Sequence, residues 1–94
     1  MAGDVQYYKN LLMSVKYTFT EDLEEHERDW EQLDDFMRSE YLAVNVVDAW
    51  RRLGKLQDAE KAGKLPVELL QELRRVERYA EEARPRIEKL KLST

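Results

Sequence analysis

The sequence predicts an all-α protein, a three- or four-helix antiparallel bundle with a long N-terminal helix. Three observations point there. The 94 residues include only three glycines and two prolines, too few for the turns of a small β protein. Charged residues make up 38% of the chain and hydrophobic ones 43%, with Glu, Leu, Arg and Lys, all good helix formers, prominent among them. The apolar residues recur at three- and four-residue intervals, the spacing that gathers side chains on one face of a helix. At this length the chain, residues 1–94, reads as a single helical domain.

The first helix is announced by Asp4, whose carboxylate suits the free N–H groups of a first turn. Val5, Tyr8, Leu11, Leu12, Val15 and Phe19 follow on about a third of the helix circumference. Met13, Val15, Tyr17 and Phe19 alternate with polar neighbours and offer a strand instead, but no second strand lies nearby to pair with it. Leu23, His26, Trp30, Leu33 and Met37 then form a heptad stripe, with His26 in one apolar slot. This stripe continues the phase of the first, apart from one extra residue between Phe19 and Leu23. Either one bent rod runs from about residue 5 to 38, roughly 50 Å long, or the helix breaks at residues 18–20, where Thr18 and Glu21 have the spacing of a capping box. The continuity of phase favours the rod.

The phase changes near Ser39. Leu42, Ala43, Val46, Val47, Ala49, Trp50, Leu53 and Leu56 cover nearly half a helix, which suits a central helix touching two neighbours. Gly63 is placed to close that helix in the left-handed conformation, and Pro66 to open the last one. Leu69, Leu70, Leu73, Val76, Ala80, Ala83, Ile87 and Leu90 form the inner stripe of the last helix. Arg78 with Glu81 and Glu82, and Glu81 with Arg84, have the spacing of supportive surface pairs. Pro85 is expected to kink or restart the helix, because it lacks an N–H and crowds the preceding turn.

The totals exclude several chemistries. Without cysteine the chain has no disulfide framework and no thiolate zinc site, which fits a reducing compartment. Met1 to Asp4 lack the basic-then-apolar start of a signal peptide. The longest uncharged stretch beyond the first turn, Tyr41 to Val47, is far short of the ~20 apolar residues of a membrane helix. The expectation is a soluble, cytoplasmic protein without a membrane segment.

Charge is distributed unevenly. Residues 21–40 carry ten carboxylates against Arg28 and Arg38, a net of −8, whereas residues 51–94 carry twelve bases and eight acids. Three readings compete: a solvated face neutralised by neighbouring basic helices, a docking surface for a basic partner, or a row of carboxylates imitating the phosphates of nucleic acid. The imitation needs the acids to face one way, and here they surround most of the helix outside the apolar stripe.

No catalytic constellation stands out. His26, the single histidine, follows Asp22 by one turn and precedes Asp29 by three residues, so either carboxylate can orient it. A packed ring at the edge of the stripe, with one nitrogen hydrogen-bonded, is the simpler account. Helical Mg²⁺ enzymes of the MazG type use a Glu-x-x-Glu pair and a Glu-x-x-Asp pair more than ten residues later. Here Glu21-x-x-Glu24 and Glu24-x-x-Glu27 are followed too soon by Glu31-x-x-Asp34, and carboxylates from one helix face do not enclose an octahedral ion. Ser14, Ser39 and Ser93 lie outside any strand–turn–helix elbow, and there is no glycine-rich phosphate loop. The arginines and lysines of residues 74–91 are interleaved with Glu72, Glu77, Glu81, Glu82 and Glu88, which repel a nucleic-acid backbone. Trp30 and Trp50 are assigned to the core, and Tyr7, Tyr17, Tyr41 and Tyr79 to stripe edges or beyond.

The function expected is therefore non-enzymatic. The chain reads as a small interaction or regulatory protein, adaptor- or inhibitor-like, that docks a protein partner with a basic surface through its acidic helix 21–38. Glu24, Glu27, Glu31, Asp34 and Asp35 supply the charge, and Trp30 an apolar contact at its edge. A 50 Å rod is not covered by one shorter neighbour, which leaves a place for a second copy in a homodimer. Two other functions use the same carboxylates: an acidic inhibitor that mimics nucleic acid, and a dimeric carboxylate–metal enzyme. The residues call for no cofactor, no metal and no direct nucleic-acid contact.

Overall fold

A computed structural model describes the backbone from Ala2 to Thr94 and the side chains from Asp4 onward. Three helical arms run antiparallel, and the described residues contain no strand. The first arm is α1 (Ala2–Phe19) followed by α2 (Glu21–Asp29). The second is α3 (Asp35–Glu40), a π turn (Tyr41–Asn45) and α4 (Val46–Lys61). The third is α5 (Leu70–Leu92), entered through a 3-10 turn, Val67–Leu69. The molecule measures 45 × 21 × 18 Å.

The N-terminal rod is bent and shorter than the heptad pattern implied. The helix is interrupted at Thr20, whose N–H reaches back to the Tyr17 carbonyl at 3.3 Å. No capping box forms there, because both threonine hydroxyls are turned backward: Thr18 Oγ1 donates to the Ser14 carbonyl and Thr20 Oγ1 to that of Lys16. Hydroxyls bonded to the preceding turn in this way favour bending over capping. The helix then ends in a 3-10 turn at Trp30–Gln32 and does not reach residue 38. Asp34 starts α3 instead, its Oδ1 accepting from the Met37 N–H at 2.8 Å. The expected acidic helix 21–38 is thus α2, a turn and the beginning of α3.

The phase change near Ser39 has a different cause from the helix end it suggested. The helix begins earlier, at Asp35, and absorbs an extra residue in the π turn. That residue keeps Tyr41 on the core side, five positions before Val46 rather than three or four. Tyr41, expected at an edge, is fully buried. Its hydroxyl donates to the Thr18 carbonyl at 3.0 Å, so a side chain from the second arm satisfies a backbone acceptor at the bend of the first.

The core otherwise follows the stripes. Leu12, Val15, Phe19 and Leu23 face Val46, Ala49, Leu53 and Leu56 and the α5 series Leu73, Val76, Ala80, Ala83, Ile87 and Leu90. Each of the larger aliphatic side chains contributes about 1.5–3 kcal/mol by leaving water. The central element is α1, which packs closely on both α4 and α5, rather than the helix beginning at Leu42. The apolar face of that second arm is wide because part of it turns outward: Ala43 and Val47 are exposed, as is Val44 beside them.

The helix ends are well determined. Gly63 has φ 71° and closes α4, with Gly63 N–H donating to the Glu60 carbonyl (3.0 Å) and Lys64 N–H to that of Ala59 (2.8 Å), the paired bonds of a left-handed glycine cap. Pro66 opens the 3-10 turn, its carbonyl accepting from Leu69 N–H at 2.9 Å. Helix α5 runs unbroken through Pro85, against the expectation of a restart. The missing donor would have served the carbonyl of Glu81, which is exposed to solvent and bears the loss cheaply. Among the described residues no helix is long and apolar enough to cross a membrane.

Candidate functional site

The six residues expected to dock a partner differ in exposure: Glu24, Glu31, Asp34 and Asp35 are exposed, whereas Glu27 and Trp30 are not. Glu24 is exposed on α2. Glu27 is half-buried and bound by Arg86 of α5 through both carboxylate oxygens. Trp30 is only 5% exposed, with Arg38 lying 5.5 Å from its ring centroid and donating to its carbonyl at 2.9 Å. It anchors the turn in the core and offers no open apolar face. Glu31 is exposed in the 3-10 turn, Asp34 caps α3, and Asp35 lies exposed in the first turn of α3.

Beneath them lies a polar–aromatic cluster. The His26 ring stacks on Tyr41, centroids 4.0 Å apart and planes 20° from parallel, and meets the edge of Trp30 at 6.5 Å. His26 Nδ1 donates to the Asp22 carbonyl at 2.8 Å and lies 3.3 Å from the Asp22 carboxylate. Asp22, rather than Asp29, orients the ring; Asp29 is engaged by Arg28 at 3.1 Å, and that hydrogen bond holds its carboxyl below the ordinary range. Burial pushes the Asp22 carboxyl up, against a smaller downward pull from His26. Burial also raises the Tyr41 phenol, helped by Asp22 and Glu27. A neutral Tyr41 can donate to Thr18, whereas a phenolate cannot. The cluster joins α2 to the π turn: the Tyr41 hydroxyl ties that turn to the bend, while the His26 hydrogen bond stays within α2.

The carboxylates above this cluster are largely uncompensated. Among the described residues, Glu21, Glu24, Glu25, Glu31, Asp34, Asp35 and Glu40 have no cationic side chain within 4.0 Å. Their field reaches neighbouring groups: the exposed Tyr17 phenol is held above its ordinary value, first by Glu25 and then by Asp22. Among the described residues the basic helix makes one ion pair with this region, Arg86 with Glu27, and the same guanidinium also feels the Glu24 carboxylate. Three α5 cations instead serve α5 itself, in Arg75–Glu72, Arg84–Glu81 and Lys91–Glu88 pairs of 2.9–3.2 Å. Arg74 bridges to Glu77 and to Glu60 of α4. The expected Arg78 pairs are not among those formed between described residues.

Sequence reasoning missed the apolar residues that accompany these acids. Phe36 is 73% exposed, and Met37, Val44 and Val47 are nearly half exposed. The stripe spacing assigned Met37 and Val47 to the core. Only the position of the π turn separates the inward from the outward residues of this arm, and no local residue type announces it. Among the described residues there is no group of three or more His, Asp or Glu side chains that could hold a metal ion. No family model, curated protein or solved structure matches this chain.

Proposed function

We propose that the chain is a non-enzymatic interaction module whose acidic middle, residues 21–40, docks a protein with a basic surface. The observation that carries this reading is the set of exposed carboxylates that form no ion pair among the described residues. A solvated face normally interleaves its signs, as α5 does. A patch of one sign instead creates a lasting field that speeds encounter with a complementary partner and discourages others. The turn at Trp30–Gln32 separates the acids of α2 from Asp34 and the acids of α3, which favours a folded protein surface over the regular track that a nucleic-acid mimic needs. The cysteine-free sequence fits a cytoplasmic setting.

A labelled lysine-rich peptide, compared with a glutamate-rich peptide of equal length, tests the reading in solution. The lysine peptide should bind selectively and weaken as salt rises from about 20 to 200 mM, because screening shortens the reach of exposed charge. Replacing Glu24 and Glu31 with Gln, and Asp35 with Asn, should weaken binding while leaving the circular dichroism spectrum unchanged. Binding that ignores these substitutions removes the acidic docking surface.

A further inference from the structure

The outward side of the second arm is apolar where it borders the acidic patch. Phe36, Ala43 and Val44 line a shallow cavity of about 290 Å³ with Ser39 and Glu40. The π turn brings Val44 back over Phe36, so two exposed apolar side chains eight residues apart share one hollow. Val47 extends the strip by another turn and borders the groove between α4 and α5, where the Arg84 guanidinium lies 4.3 Å from the Trp50 ring centroid. The strip is therefore long in one direction and narrow in the other, the shape that receives a helix.

Charge along its edge selects the occupant. Glu40 is exposed with no ion pair among the described residues, as is Asp35 at the start of the same arm, whereas Asp48 is half-buried and paired with Arg51 at 3.0 Å. A second copy seated on the strip brings another acidic middle, net −8 over residues 21–40, beside the first. Like charges are then set together, so a second copy of the chain is disfavoured. The same carboxylates repel an anionic membrane surface. We propose that the strip of Phe36, Ala43, Val44 and Val47 holds an amphipathic helix of a partner protein, its apolar side on the strip and its lysines or arginines against Asp35 and Glu40. This assignment rests on the acidic docking reading above and adds to it the shape of the partner.

Two labelled peptides of one composition test it by fluorescence anisotropy on the full chain: a leucine–lysine helix with its leucines at three- and four-residue spacing, and a scrambled version that cannot gather them. The helix should bind at least about tenfold tighter than the scramble, since apolar anchors at the centre of a contact dominate its affinity. Phe36→Ser and Val44→Ser, both at exposed positions, should abolish that preference and leave the weaker binding of the scramble intact. Glu24→Gln with Glu31→Gln should instead weaken both peptides together. A preference that survives both serine substitutions overturns the strip while the acidic surface stands. If neither peptide binds, both readings fall. Sedimentation as a dimer that Val44→Ser converts to a monomer identifies a second copy as the occupant and also overturns the proposal.

Discussion

Residues 21–40 and helix α5 are both densely charged, yet they use charge in opposite ways. In α5 each sign lies one turn from the other, and the side chains close on each other in Arg75–Glu72, Arg84–Glu81 and Lys91–Glu88. The result is a solvated face with little field beyond it. In residues 21–40 the acids have few cations within reach, and α5 supplies one, Arg86. Their attachment to the fold comes from aromatic burial: Trp30 under Arg38, and Tyr41 under His26. Net charge separates the two regions, −8 over residues 21–40 against +2 over α5, and the distance from each charge to its nearest opposite sets how far that difference is felt.

Removing the aromatic anchor should break the comparison most severely. Tyr41→Ala is expected to cost about 3–5 kcal/mol in denaturant unfolding, the usual range for emptying a buried aromatic site, which is much of a small domain's stability. Tyr41→Phe keeps the ring and deletes the bond to the Thr18 carbonyl, for about 1–3 kcal/mol. Equal effects of the two substitutions would show that the hydroxyl, not the ring, secures the bend.

A smaller effect, with a sign of its own, attaches to Asp22. Burial raises its carboxyl in the folded state, while the unfolded chain keeps the ordinary value of about 3.9. The folded protein therefore binds the proton more tightly. That contribution to stability is fully present below the unfolded value and is lost as pH rises through the folded one. At pH 7 the buried charge opposes folding, so Asp22→Asn should raise the thermal midpoint there. The difference should disappear below about pH 3.5, where both side chains are neutral. Loss of stability on Asp22→Asn at pH 7 would mean that the contact with His26 outweighs burial.

The surface pairs of α5 should matter least. Glu81→Gln, which breaks the exposed pair with Arg84, is expected to change stability by no more than about 0.5 kcal/mol. A larger loss would contradict the picture of α5 as an independently solvated face.

Much of the architecture was legible in the sequence. The inner stripe of α5 is buried as its spacing implied, Gly63 caps α4, and the interruption falls within the residues 18–20 considered for it. The errors share one physical origin, since a stripe of apolar spacing does not record where the backbone stops being an α-helix. The heptad pattern carried the rod past Trp30, although a 3-10 turn ends it there. Counting at α-helical spacing across the π turn left Tyr41 at the edge and Val47 inside, the reverse of their positions. For the candidate site, the acidic residues were visible in composition, but their apolar companions Phe36 and Val44 were hidden by that same turn. Trp30, read both as core and as an apolar contact at the edge of the acidic helix, is buried, in line with the first of those readings.

The central claim is that the acidic middle and the apolar strip beside it form one docking surface. The most direct measurement is an amide chemical-shift titration of the isotope-labelled chain with the leucine–lysine helix. The account predicts saturable shifts within residues 24–48, reduced when salt is raised to about 0.5 M, with α5 beyond the Trp50 groove unmoved. Shifts centred on the outer face of α5, or none at all in residues 24–48, would contradict it.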